Sequence, residues 1–459
     1  MSGPSTDQSR PRTHTRAGPA MLMVVGGGFL TQLLSTVTGV LSARMLGVEG
    51  RGQVVLVASL AAMTSQLFLG GSLPNAITKM LADHDVTARD GLRHHVSRWA
   101  VWSLVPSAVA GGYFVFVERH SAGNAKYALA VAVVIMAIQS MVSRILVGSM
   151  LGEGTDLVHV AMTGVLPQGL VTAVLAVAYG VGIRWNAVEL SAVTIVCVSA
   201  VLLARLRLLR KPTRDPADQL DRYELRRLAA KTYIGSVGPI DGLSIDRTLV
   251  GSLLGSVALG LYSVAFALAG LTMILGRALG MVILPRVARA QVDPKSEKYI
   301  VRMWLFFSAV LIVCAVLVLE FSTSFLIRIL FGAEFLGAVT VTHWLLAAAG
   351  FLDFRRVLIA VLQGRDRGLH ASIIELALTP FVVGGIIWAS SKDSLEGVGQ
   401  TMLVVGVVSC LLLSVAVLRS APAHRYSAVH RYRRNAPPRT LPDEYRPPLR
   451  QPEPVETPW

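Results

Sequence analysis

The chain has 459 residues, of which 53% are hydrophobic and only 15% charged, and its mean hydropathy is +0.57. A soluble domain carries nearer a quarter charged residues, so this balance excludes a cytosolic enzyme, a secreted disulfide scaffold and a nucleic-acid-binding domain. The net charge of +15 fits a membrane protein whose basic residues collect on the cytoplasmic side.

The polar N-terminus, 1–19, carries Arg10, Arg12 and Arg16. The apolar stretch after it is too long for a cleaved signal and reads as a first span. Residues 17–43, 52–78, 157–183 and 397–418 each lack Asp, Glu, Lys and Arg, and about 20 apolar residues cross a bilayer as a helix. Twelve spans are expected, near 20–43, 54–78, 98–117, 127–149, 157–181, 187–206, 229–251, 258–284, 302–325, 337–361, 369–390 and 397–418. Lipid offers no partner to an open backbone, and no strict alternation suggests a barrel, so the spans are helices. The expected class is an all-α polytopic membrane protein. With the N-terminus inside, 33 of the 43 Lys and Arg fall on the cytoplasmic side, seven outside and three within spans. That split predicts two cytoplasmic termini in a cell membrane.

A basic linker, 208–228, separates a six-helix lobe at 20–207 from a second at 229–419. The halves echo each other. Leu46-Gly47, Gly52 and Leu60 reappear as Leu254-Gly255, Gly260 and Leu268 at an offset of 208, Leu73-Pro74 answers Leu284-Pro285, and Pro167 answers Pro380. A duplication with six spans per copy keeps both copies in one orientation and places a central cavity between the lobes. The tail, 420–459, holds nine of the 21 prolines and seven arginines, and is too polar to pack. Cys197, Cys314 and Cys410 all lie in apolar segments, where cysteine acts as a small packing residue.

No metal-ligand spacing and no phosphate-binding glycine loop appears, so no metal, no cofactor and no nucleic-acid partner is expected. The informative residues are charges inside spans, which are costly in lipid and face protein or water. Arg144, Arg247 and Arg277 lie within spans, and Arg44 closes the first span. Guanidinium stays charged and grips phosphate with paired donors, so these four are substrate-path candidates. Asp241, Asp246 and Glu375 are candidates for binding a cation or partnering an arginine. Gly235, Gly238, Pro239 and Gly242 interrupt span seven; proline removes a backbone bond there, which makes the four hinge candidates.

Several of these residues carry a family likeness. Arg44-Met-Leu46-Gly47-Val-Glu-Gly50-Arg51-Gly52 resembles the start of Wzx-type polysaccharide-biosynthesis flippases, as do Asp246-Arg247, Leu254-Gly255, Gly260, Tyr262 and Pro285. Phe331-Gly332-Ala-Glu334-Phe335 is similar as well. The likeness spans about 20–418, and the larger group is the multidrug, oligosaccharidyl-lipid and polysaccharide exporter superfamily. It implies two six-helix lobes, alternating access and a lipid-linked oligosaccharide as cargo, with membrane lipids and a polysaccharide polymerase or glycosyltransferase as partners. Lipid II flippases of this superfamily usually have fourteen spans, and twelve argues against that branch. A diphosphate-linked sugar cannot cross hydrocarbon unaided. An inside-negative potential favours its outward movement by about 2.3 kcal/mol per charge per 100 mV.

The nearest rival within the superfamily is a cation-coupled multidrug antiporter, which needs buried acids. The first two spans contain none, and Glu189 is the lone acid within a span of the first half. A membrane-bound polymerase would need a sizeable outer loop, and every outer loop here is short.

Overall fold

The computed structural model describes residues 17–69, 72–84, 87–119, 123–155, 157–209, 222–236, 243–290 and 294–420. These form α1 (Ala17–Leu69), α2 (Ser72–His84), α3 (Ala88–Val117), α4 (Ala125–Gly152), α5 (Leu157–Val181), α6 (Ala187–Leu208) and α7 (Arg222–Ser236). They continue as α8 (Ile245–Leu253), α9 (Gly255–Ala290), α10 (Pro294–Leu326), α11 (Val339–Gly364), α12 (Gly368–Ser390) and α13 (Leu395–Arg419). A π-helical turn, Ile327–Phe331, closes α10, and a 3-10 turn, Ala333–Ala338, opens α11. No strand occurs among the described residues. The N-terminal residues 1–16, most of the basic linker, the tail from 421 onward, and Gly238, Pro239, Asp241 and Gly242 lie outside the described residues.

Each of the twelve expected spans coincides with helix, although eight described helices are long and apolar enough to cross a membrane by length and composition alone. The difference has identifiable causes. Spans one and two run together as α1, which turns at Gly47 with φ +66°. The apolar part of α3 covers only Val101–Val117. Span seven is divided into α7 and α8, and α11 carries Asp353, Arg355 and Arg356 along its length. The spans that miss a simple apolar test are those that are broken or charged.

The divided span links the halves. Leu225 of α7 is buried among Leu73, Ile77 and Leu81 of α2 and Leu146 of α4. The Tyr233 hydroxyl donates to the Leu67 carbonyl at 2.5 Å. Beyond the break, α8 packs on α9 through Val250 and Leu259 in the largest apolar cluster, which also holds Leu56, Leu60, Tyr262, Phe331 and Phe335.

The internal repeat has a structural counterpart. Gly47 and Gly255 both take positive φ, +66° and +85°, a region that costs glycine little and other residues more. Just beyond each turn the halves touch backbone to backbone. A Cβ at Gly52 would overlap the Ser256 carbonyl oxygen, and one at Gly260 would overlap the Val48 carbonyl oxygen. Val48 and Ser256 are themselves 208 apart, so the contact is reciprocal. A second matched approach joins span four to span two and span ten to span eight. A Cβ at Gly148 would meet the Pro74 carbonyl oxygen at 2.6 Å, and one at Gly364 the Leu284 carbonyl oxygen at 3.1 Å.

At the far end of the second half a buried network ties three helices. Arg365 Nε donates to Glu297 Oε1 at 2.7 Å, and its Nη1 donates to the Val417 carbonyl at 2.6 Å and to Ser420 Oγ at 2.7 Å. Glu297 is wholly buried. Arg365→Ala strands that carboxylate, a loss of about 3–5 kcal/mol where one partner of a buried pair is removed. We expect a clear drop in thermal midpoint in detergent, and a smaller one when Glu297→Ala is added.

Candidate functional site

A cavity of about 500 Å³ lies between the two halves. Its walls come from α1, α4, α5 and α6 of the first half and α8, α9, α11 and α13 of the second. Pro167 in α5 and Pro285 in α9 sit inside helices that line it.

Among the described residues, the lining carries Arg51, Arg247, Arg277 and Arg356 against a single acid, Asp246. Arg51 is almost fully buried. Its Nε donates to Ser263 Oγ at 2.7 Å, and its Nη1 donates to Ser42 Oγ at 2.9 Å and to the Gly39 carbonyl. The guanidinium also lies 5.5 Å from the Phe331 ring centre. It bridges the halves directly beside the Gly52–Gly260 contact. Arg247 stacks on Phe266 at 4.4 Å, and its Nη2 donates to Ser244 Oγ at 2.6 Å. Its Nε is buried without a hydrogen-bond partner, which leaves a donor unused. Asp246 accepts from the Tyr262 hydroxyl at 2.9 Å and is buried. Arg356 Nη1 meets Asp353 Oδ1 at 2.6 Å behind the wall.

Of the residues singled out from sequence, Arg247, Arg277 and Asp246 are brought together around the cavity. Arg44 and Arg144 are not. Arg44 is turned outward: its Nε donates to the Leu330 carbonyl at 2.8 Å, its Nη2 to the Ile329 carbonyl and its Nη1 to the Tyr179 hydroxyl at 3.3 Å. It caps the π-helical turn after α10. Arg144 Nη1 donates to Gln66 Oε1, joining α4 to α1. Met136 of α4 does line the cavity, and eight residues further along a helix is a rotation of roughly 80°, which swings Arg144 off that wall. Arg144→Gln is expected to retain most transport while lowering thermal stability, and a transport assay on protein normalised for folded amount checks this.

Glu375 of α12 pairs with Arg355 of α11, with Arg355 Nη2 at 3.0 Å from Glu375 Oε1. Gly235 is the penultimate residue of α7, and the rest of the hinge motif lies outside the described residues. The break itself is present, and α8 restarts after Ser244, whose φ is +51°.

Sequence reasoning misses Arg51 and Arg356. A boundary drawn at each charge puts Arg51 in an outer loop and the Arg355-Arg356 pair on the inner side. The glycines flanking Arg51 and the aspartate three residues before Arg356 are the available signals.

The cavity lies between two duplicated helical halves and is lined by guanidinium groups. A family model described as "Polysaccharide biosynthesis protein" matches residues 116–340.

A comparison with curated protein sequences finds no match. Among solved structures, the chain is similar to a lipid II flippase, MurJ, in an inward closed conformation, with a TM-score of 0.71 and 14% identity over 86% of this chain and 87% of that one. It is also similar to the MATE multidrug transporter DinF-BH, with a TM-score of 0.61 and 14% identity over 88% of this chain and 95% of that one. An inward-facing multidrug resistance transporter of the MATE family gives 0.59 and 14% over 87% and 98%.

Proposed function

We propose that the chain is a flippase that carries a lipid-diphosphate-linked oligosaccharide from the inner to the outer leaflet of the cytoplasmic membrane, by alternating access, for cell-surface polysaccharide biosynthesis. The observation that carries this reading is the charge of the cavity, four arginines to one aspartate among the described residues. A diphosphate needs donor-only groups that stay charged in a site partly shielded from water. An organic cation would be repelled by the same lining, and the one acid there is already engaged by Tyr262. The cavity charge thus weighs against the antiporter reading. The distribution of basic residues supports two cytoplasmic termini. In that orientation the end closed by Gly52 and Gly260 is the outer end. The head group enters from the inner side while the lipid tail stays in the bilayer.

The test is reconstitution. Vesicles holding a radiolabelled lipid-diphosphate oligosaccharide in one leaflet are exposed to an impermeant glycosyltransferase on the other side. Wild-type protein is expected to raise the modification rate at least tenfold over protein-free vesicles. Equal rates, or efflux of organic cations in place of lipid movement, overturn the reading. A strain lacking the gene is expected to accumulate the undelivered lipid-linked intermediate.

A further inference from the structure

The two halves contribute chemically different walls to the cavity. Four first-half hydroxyls direct their protons back to their own helices. Thr36 donates to the Gln32 carbonyl (3.1 Å), Ser42 to the Gly39 carbonyl (3.0 Å), Ser191 to the Ala187 carbonyl (2.8 Å) and Thr194 to the Leu190 carbonyl (2.9 Å). Behind this wall Thr172 faces the Gln168 and Leu34 carbonyls at 2.7 and 3.3 Å, which take its proton and leave it to accept from Thr38 at 2.8 Å, while Gln168 Nε2 donates to Thr38 at 2.9 Å. What these groups still offer the cavity is lone pairs, together with the amide carbonyl oxygen of Gln168. Gln32 adds a side-chain amide with no hydrogen bond among the described residues, set opposite Gly270.

The second half supplies three of the four lining arginines, and the fourth, Arg51 of the first half, is bound to Ser263, Ser42 and the Gly39 carbonyl. Arg247, Arg277 and Arg356 are donors only. The difference appears at matching places in the two copies, since Thr38-Gly39 stands where the second half has Asp246-Arg247, at the offset of 208. The shared fold does not impose it.

We propose that the acceptor-rich first-half wall, centred on Gln32, Thr38 and Gln168, is a saccharide subsite, and that the second-half arginines hold the diphosphate. This rests on the flippase reading. Phosphate oxygens have no proton to donate at neutral pH and gain nothing from a row of lone pairs. Sugar hydroxyls donate readily and do gain. The head group is therefore oriented across the seam, with its sugar toward the first half, and the first half selects which sugar is carried.

The experiment uses the full-length protein in detergent and two probes, farnesyl diphosphate and a farnesyl-diphosphate-linked disaccharide. Wild type is expected to bind the disaccharide probe at least tenfold tighter than the bare diphosphate. Gln32→Ala with Gln168→Ala, and separately Thr38→Val, should erase that preference while leaving farnesyl diphosphate affinity within twofold, which also reports intact folding. Arg277→Gln with Arg356→Gln should weaken both probes tenfold or more. If the first-half variants weaken both probes alike, or neither, the subsite is wrong although the flippase reading stands. If wild type binds neither probe, both fall.

Discussion

Gly52→Leu opens the seam between the halves at the Gly47–Gly255 end. The reason is that the position faces the Ser256 carbonyl and not a side chain that can turn aside. Even Gly52→Ala places its new carbon inside that carbonyl. Overpacking a well-packed interior costs about 1–3 kcal/mol, which lowers the closed population roughly 5- to 150-fold. Gly260→Ala should act equally, since it meets the Val48 carbonyl. The double variant should be little worse than either single one, because substitutions that open the same interface do not add. Spin labels at Glu49 and Val257, both exposed, report the separation directly. Their distance is expected to lengthen in each of these seam variants and to stay unchanged in Gly26→Ala, where a Cβ meets nothing within 4 Å. An unchanged distance in Gly52→Leu rejects the seam as the closing element.

Neutralising the second-half wall is expected to stop transport without unfolding the protein. Hydrogen bonds to charged groups contribute about 1.5–3 kcal/mol each, so Arg247→Gln alone should reduce the flipping rate about ten- to a hundredfold. Arg247→Gln with Arg277→Gln and Arg356→Gln should leave no rate above protein-free vesicles. The loss should not be rescued by Lys at position 247, because an ammonium group does not stack on Phe266 as a flat guanidinium does. Normal flipping by the triple variant removes the cationic wall from the mechanism.

The sequence displays the architecture openly where physics leaves one solution. Uncharged runs in lipid become helices, and every expected span is helical where it is described, apart from the break at Leu243 and Ser244 in the seventh. The repeat at an offset of 208 is legible because a left-handed turn and a backbone-on-backbone approach each require glycine, at Gly47 and Gly52 and again at Gly255 and Gly260. The site is only half legible. Charge inside a span signals function, and that rule finds Arg247 and Arg277. It does not say which way a side chain faces. Arg44 and Arg144 turn to carbonyls and an amide on neighbouring helices, a choice fixed by helix rotation. Arg51 escapes because α1 runs on through a stretch where a loop is expected. The hydroxyls of the first-half wall escape because serine and threonine in a span read as ordinary packing until their protons are traced.

Each copy hands the other the same glycine and receives the same carbonyl in return. A patch that is its own complement fits a two-fold axis along the membrane normal. Two identical six-helix ancestors, not yet fused into one gene, would already have shut against each other as a homodimer. Fusion lets one half carry an aspartate–arginine pair where the other carries threonine–glycine, an inequality no symmetric dimer can hold.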